Sequence, residues 1–93
     1  MAWTVTVHPK VAKRIPRLPQ RIREVLELLL RELEARGPMR GNWSNYSKLS
    51  DTRHHCHLIK RGRPTYVAVW EEENGRQQLV EVIYVGTREK APY

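Results

Sequence analysis

The sequence predicts an α+β fold of order β-α-α-β-β-β-β: an antiparallel meander sheet with two helices packed on one of its faces. Three observations predict it. Apolar residues recur at helical spacing between residues 9 and 36. From Tyr46 onward they alternate or gather into short β-branched runs punctuated by Gly, Pro and Asn. The chain has 93 residues, 40% of them hydrophobic, which suits one packed domain over 1–93.

Residues 3–7, Trp-Thr-Val-Thr-Val, alternate apolar and polar as a half-buried strand does. Pro9 fits the first turn of a following helix, where a missing N–H costs nothing. Val11, Ile15 and Leu18 then fall at helical spacing, and Pro16 limits that helix and distorts it near Ile15. The strongest helix covers 20–36. Ile22, Val25, Leu26, Leu29 and Leu33 form its apolar stripe, and Leu28 and Leu30 widen it toward burial on more than one side. Glu27–Arg31 and Glu32–Arg36 are favourable pairs on the wet side. Gly37-Pro38 stops it.

Residues 37–45 read as a loop. Tyr46–Leu49 is a short strand, and Ser50-Asp51-Thr52 is turn chemistry. His54–Ile59 and Thr65–Glu71 flank Arg61-Gly62-Arg63-Pro64 as the arms of a hairpin. Asn74-Gly75 favours a primed two-residue turn. Leu79–Val85 is the most β-branched run, and residues 86–93 make a basic-leaning tail. With the helices covering one sheet face, the other is expected to stay open.

Charge narrows the partners. The chain carries 17 Lys+Arg against 10 Asp+Glu, a net +7. Residues 1–23 hold Lys10, Lys13, Arg14, Arg17, Arg21 and Arg23 with no acid. Residues 36–63 hold Arg36, Arg40, Lys48, Arg53, Lys60, Arg61 and Arg63 against Asp51 alone. Two basic blocks on a small domain point to a polyanion, with nucleic acid ahead of an acidic protein or a merely solvated surface. A single Cys excludes an internal disulfide. The N-terminus has no long apolar run, so neither a signal peptide nor a membrane helix is expected, and the expected compartment is the cytoplasm.

His54-His55-Cys56-His57 is the unusual run. All are zinc-ligand types, but a strand sends neighbours to opposite faces, so four consecutive residues do not converge on one ion. No metal and no cofactor are expected. His54, Cys56 and Leu58 share one face, and His55 and His57 share the other. Cys56, on the apolar face, reads as an inert small hydrophobe rather than a nucleophile. If that face is inward, the His55/His57 pair stands on the open one near Arg53, Lys60, Arg61 and Arg63. Those cations depress an imidazole pKa and favour a neutral base at pH 7. In the tail, Arg88 has the planar fork that binds phosphate, and Tyr93 either stacks on a base, acts as a weak acid or folds back as a clasp. Trp43 and Tyr46 are base-stacking candidates or core. Trp3, Tyr66 and Trp70 are assigned to the core.

The β-α-α-β-β-β-β order, Trp43-Ser44-Asn45-Tyr46-Ser47-Lys48-Leu49, His55-Cys56-His57-Leu58 and the ending Gly86-Thr87-Arg88-Glu89-Lys90-Ala91-Pro92-Tyr93 together resemble RelE-type toxins of the RelE/ParE superfamily. The likeness covers nearly the whole chain. It implies a toxin of a type II toxin–antitoxin module that enters the ribosomal A site and cuts mRNA without a metal. In such a reaction the 2′-OH attacks the adjacent phosphate and leaves a 2′,3′-cyclic phosphate and a 5′-OH. It implies a cognate antitoxin, the ribosome and its mRNA as partners. The best-known members carry two Lys where this chain has His55 and His57, while related RNA-cleaving members use His. Arg88 matches the family's phosphate-contacting Arg. Tyr93 approximates its C-terminal Tyr, one residue closer to that Arg. The family's Arg early on the strand after the hairpin falls nearer Thr65, with Arg63 a near substitute. The resemblance thus gives His55, His57, Arg88 and Tyr93 catalytic roles, and gives RNA contacts to Lys48, Arg53, Lys60, Arg61 and Arg63. The competing expectations are a ParE-like gyrase poison and a nucleic-acid-binding module without catalysis.

Overall fold

The computed structural model describes residues 2–59, 62–74 and 76–93. The chain begins with β1 (Thr4–Val7) and α1 (Pro9–Arg14), continues into a 3₁₀ turn (Ile15–Arg17), and then forms α2 (Gln20–Arg36). Four strands follow, β2 (Ser47–Lys48), β3 (Arg53–His57), β4 (Tyr66–Asn74) and β5 (Leu79–Thr87), and a 3₁₀ turn over Arg88–Lys90 closes the chain. The spatial order is β1-β5-β4-β3-β2. Strands β2 to β5 form the expected antiparallel meander, while β1 joins its edge parallel to β5, with Val5 opposite Val80 and Val7 opposite Val82. A parallel pair needs a crossover, and here the helices lie within the connection.

The proline placements explain the first helix. Pro9 sits in its first turn, and the α-helical part ends at Arg14 where Pro16 removes a donor and forces the tighter 3₁₀ turn. Helix α2 buries Ile22, Leu26, Leu29 and Leu33 against Cys56, Leu58, Ala68, Trp70, Val80, Val82 and Val85. Its apolar stripe is narrower than the sequence suggests: Leu30 is half-buried and Leu28 is 56% exposed. The sheet covers one side of the helix, and Leu28 points away from it.

Glu27 pairs with Arg31 at 2.8 Å, both largely exposed, so the pair adds little. Glu32 does not take Arg36. One carboxylate oxygen accepts from Asn42 Nδ2 (2.9 Å), Arg40 Nη1 (3.0 Å) and Trp43 Nε1 (3.0 Å). The bond from Asn42, with those from Trp43 and Arg40, outweighs partial burial and holds this carboxyl below its ordinary range. These charge-assisted bonds tie the 38–46 loop to α2.

Gly37 ends α2, its N–H donating to Leu33 O at 2.9 Å, with φ 89° and ψ −173°. That region is open to glycine alone. A Cβ there would also lie 2.7 Å from Trp3 Nε1. The next residue supplies the carbonyl that accepts from the buried Trp70 Nε1 at 3.0 Å.

The second hairpin forms, but not through a two-residue Asn74-Gly75 turn. The strands end at Asn74 and Leu79, Gln77 N–H donates to Asn74 Oδ1, and the positive φ falls on Gln78; Gly75 lies outside the described residues. A bulge leaves Ile83 between the pairs Val69–Tyr84 and Trp70–Val82. Strand β5 runs on past Val85 to Thr87, and Arg88 N–H donates to Thr65 O at 2.9 Å, anchoring the start of the tail. The sheet face away from the helices is not left fully open. Val67 and Val69, outside the helix-side core, are fully buried there beside the histidine row.

Replacing Gly37 with Ala is expected to remove about 1–3 kcal/mol of stability through backbone strain. In urea unfolding this appears as a lower midpoint at unchanged slope. An unchanged midpoint would contradict the assigned strain.

Candidate active site

Strand β3 sorts its side chains by parity. His54 and Cys56 have no exposed surface and lie beneath the helices. His54 stacks on Trp70, centroids 5.9 Å apart and planes 3° apart, and on Tyr46 at 5.8 Å. Its Nδ1 is 2.7 Å from the Tyr46 hydroxyl. Burial lowers its pKa against the pull of Glu72, whose Oε2 lies 3.7 Å from Nε2. His54 is therefore a neutral core residue. Burial, helped by the charge of Glu32, pushes the Cys56 thiol up to about 12, so it is not a nucleophile near neutral pH. Tyr46 and Trp43 belong to this inner packing, not to a base-stacking surface. Among the described residues no group of three His, Cys, Asp or Glu side chains is arranged to hold a metal ion.

The other parity makes the site. His55 and His57 stand side by side, ring centroids 6.3 Å apart. The tail returns over them: the Tyr93 ring lies 4.6 Å from that of His55, tilted by 51°. His55 is 8% exposed and Tyr93 is 49% exposed, so the tyrosine shields the imidazole while keeping access to solvent itself. Opposite them in register are Val69 and Val67, then Tyr84 and Gly86 of β5. Tyr84 donates to Thr87 O at 2.6 Å and crosses Gly86, where a Cβ would sit 2.7 Å from the hydroxyl oxygen. A glycine is needed there, and the strand end that carries Arg88 is fixed by the same contact.

Electrostatics link the four residues. Burial lowers the pKa of His57, and the charge of Arg88 and the neighbouring His55 lower it further. Burial raises that of Tyr93, opposed by Arg88. One guanidinium thus acts on both groups, the imidazole is neutral at pH 7 and the phenol is protonated. On the outer side, Ser47 faces His55 across the β2–β3 ladder, its Oγ 3.2 Å and its carbonyl oxygen 3.3 Å from Nδ1.

The remaining cations divide. Arg53 shares the histidine face, but its guanidinium holds Glu71 at 3.2 Å. Lys48 is paired with His54 in register and so belongs to the opposite face, away from the imidazole pair. Arg63 is exposed and lines a separate hollow with Arg21, Ile59 and Tyr66. Lys60 and Arg61 lie outside the described residues. Lys10, Arg14, Arg17 and Lys90 rim two adjoining hollows of about 290 Å³ each between the first helix and β5, with Tyr84 and Val85 shared between them. Ser47 and Tyr84 join the site without a local signal in the sequence. Ser47 becomes visible only through cross-strand register, and Tyr84 only through its parity with Val69.

This arrangement of helices and sheet is the fold of RelE-type toxins. No family model and no curated protein matches the sequence. Solved structures do. The chain is similar to an archaeal RelE in a RelE–RelB complex from Pyrococcus horikoshii OT3, with 16% identity, a TM-score of 0.70, and coverage of 98% of this chain and 100% of that one. It is similar to an arginine double mutant of the E. coli toxin RelE in the free state, with 22% identity, a TM-score of 0.69, and coverage of 98% and 88%. The isolated E. coli RelE toxin matches with 21% identity, a TM-score of 0.68, and coverage of 98% and 89%.

Imidazole NMR titration is expected to place the His57 midpoint below the ordinary 6.5 and to move it upward in Arg88→Gln, because a like charge is removed from beside the protonated ring. A midpoint that stays put in the variant would contradict the coupling.

Proposed function

We propose that this chain is the toxin of a type II toxin–antitoxin module, a metal-independent endoribonuclease that cuts mRNA in the ribosomal A site. The observation that carries the reading is the convergence of His55, His57, Tyr93 and the charge of Arg88 on one sheet face. Internal attack on RNA needs a base for the 2′-OH, a cation for the charge growing on phosphorus, and an acid for the 5′ oxygen. A neutral imidazole takes the 2′-OH proton as oxygen bonds to phosphorus. Arg88 holds the phosphate oxygens. The P–O5′ bond breaks, and Tyr93 or the second histidine delivers a proton to the leaving oxygen. The products are a 2′,3′-cyclic phosphate and a 5′-OH.

The dry floor of Val67 and Val69 supports this chemistry, because a charge is worth more beside apolar side chains than in open water. The cation-rimmed hollows at Lys10, Arg14, Arg17 and Lys90 supply a surface for ribosomal RNA phosphates. The likeness to RelE in a RelE–RelB complex supports a small antitoxin as partner. The reaction belongs to the cytoplasm, where translating ribosomes are; among the described residues no helix is long and apolar enough to cross a membrane. A gyrase poison or a passive binding module has no use for a paired base and acid beside a phosphate ligand.

The test is single-turnover cleavage of mRNA on programmed ribosomes. Changing both His55 and His57 to Ala is expected to slow it roughly 10²–10⁴-fold, the usual worth of general acid–base catalysis. Cleavage at the wild-type rate would remove the acid–base assignment.

A further inference from the structure

The surroundings of His55 distinguish it from His57. Strand β2 pairs with β3 through Ser47 opposite His55, and both oxygens of Ser47 approach a single ring nitrogen, Nδ1. The two oxygens differ in kind. A carbonyl oxygen only accepts, whereas a hydroxyl accepts or donates. With a proton on Nδ1, both oxygens accept from it. With a lone pair there, the hydroxyl alone bonds and the carbonyl oxygen faces the nitrogen lone pair. Ser47 is exposed, so its own hydroxyl proton has water to bond when the oxygen accepts. The ring is further confined by Tyr93 at 4.6 Å. Among the described residues the His57 ring has no comparable anchor.

We propose that Ser47 is a positioning residue that holds His55 in the Nδ1–H tautomer, leaving the lone pair on Nε2 and making His55, not His57, the general base. This rests on the ribonuclease reading. The proton from the 2′-OH passes to Nε2, and the imidazolium so formed keeps its Nδ1–H on the two oxygens of Ser47. Fixing a tautomer through the second nitrogen is a general device for orienting a catalytic imidazole. The 5′ oxygen takes its proton from Tyr93, whose phenol burial keeps protonated.

Long-range ¹H–¹⁵N NMR of the labelled full chain reads the tautomer directly, with His57→Gln used to assign the rings. The expected result is a pyrrole-type Nδ1 and a pyridine-type Nε2 on His55. Ser47→Ala is expected to lower the Nδ1–H share and slow single-turnover cleavage roughly five- to tenfold, the worth of one hydrogen bond, with ribosome binding unchanged. Ser47→Thr is expected to restore both, and a purely structural serine would move neither tautomer nor rate. A wild-type His55 with its proton on Nε2 overturns the proposal, as does Ser47→Ala with wild-type tautomer and rate. Either result leaves the ribonuclease reading intact if the wild type cleaves. A wild type that cleaves nothing overturns the base assignment together with that reading, whatever the tautomer.

Discussion

Neighbouring residues on an extended strand point to opposite faces, and in β3 this constraint separates side chains of similar chemistry. His54 and Cys56 go under the helices, while His55 and His57 go to the face where the tail returns. A slip of one residue would exchange them, placing two imidazoles in an apolar core and a thiol in the site. The register is held from the buried side. His54, Tyr46 and Trp70 pack as a mutual cluster of three rings, the His54 nitrogen meets the Tyr46 hydroxyl, and Trp70 is hydrogen-bonded to Pro38 just past the end of α2. The buried histidine takes no part in the outer site, yet it fixes where His55 and His57 stand.

The outer face then works through charge. Arg88 lies where β5 ends, and the sheet determines that end through the pairs Val67–Gly86 and Tyr66–Thr87 and the bond from Arg88 N–H to Thr65. The cation beside His57 keeps that imidazole neutral, and the same cation has the planar fork that suits a phosphate. Val67 and Val69 exclude water from beneath the pair and strengthen both effects.

Much of this was legible in the sequence because it rests on local rules. The bounds of α2 follow from its apolar stripe and from Gly37-Pro38, the break in the first helix follows from Pro16, and the sorting of the histidines follows from strand period alone. What was not legible is non-local. Nothing in Trp3–Val7 says that its partner is β5 or that the pairing is parallel. Glu32 has a cation at helical spacing but takes partners from the following loop, because three donors there outbid one exposed pair. The position of Lys48 depends on β2–β3 register, which places it opposite His54 and away from the His55/His57 face. The tail reads as basic, with Tyr93 free to stack on a base, act as a weak acid or fold back; that its ring packs on His55 is set by sheet geometry over the whole of β5.

In the proposed reaction this face uses the substrate's own 2′-OH as nucleophile. The most direct measurement is cleavage of a ribosome-bound message carrying a single 2′-deoxy nucleotide on the 5′ side of the scissile phosphate. Cutting at that position is expected to stop while neighbouring all-ribose positions are still cut, their products ending in a cyclic phosphate. Undiminished cutting at the deoxy position would contradict that reaction.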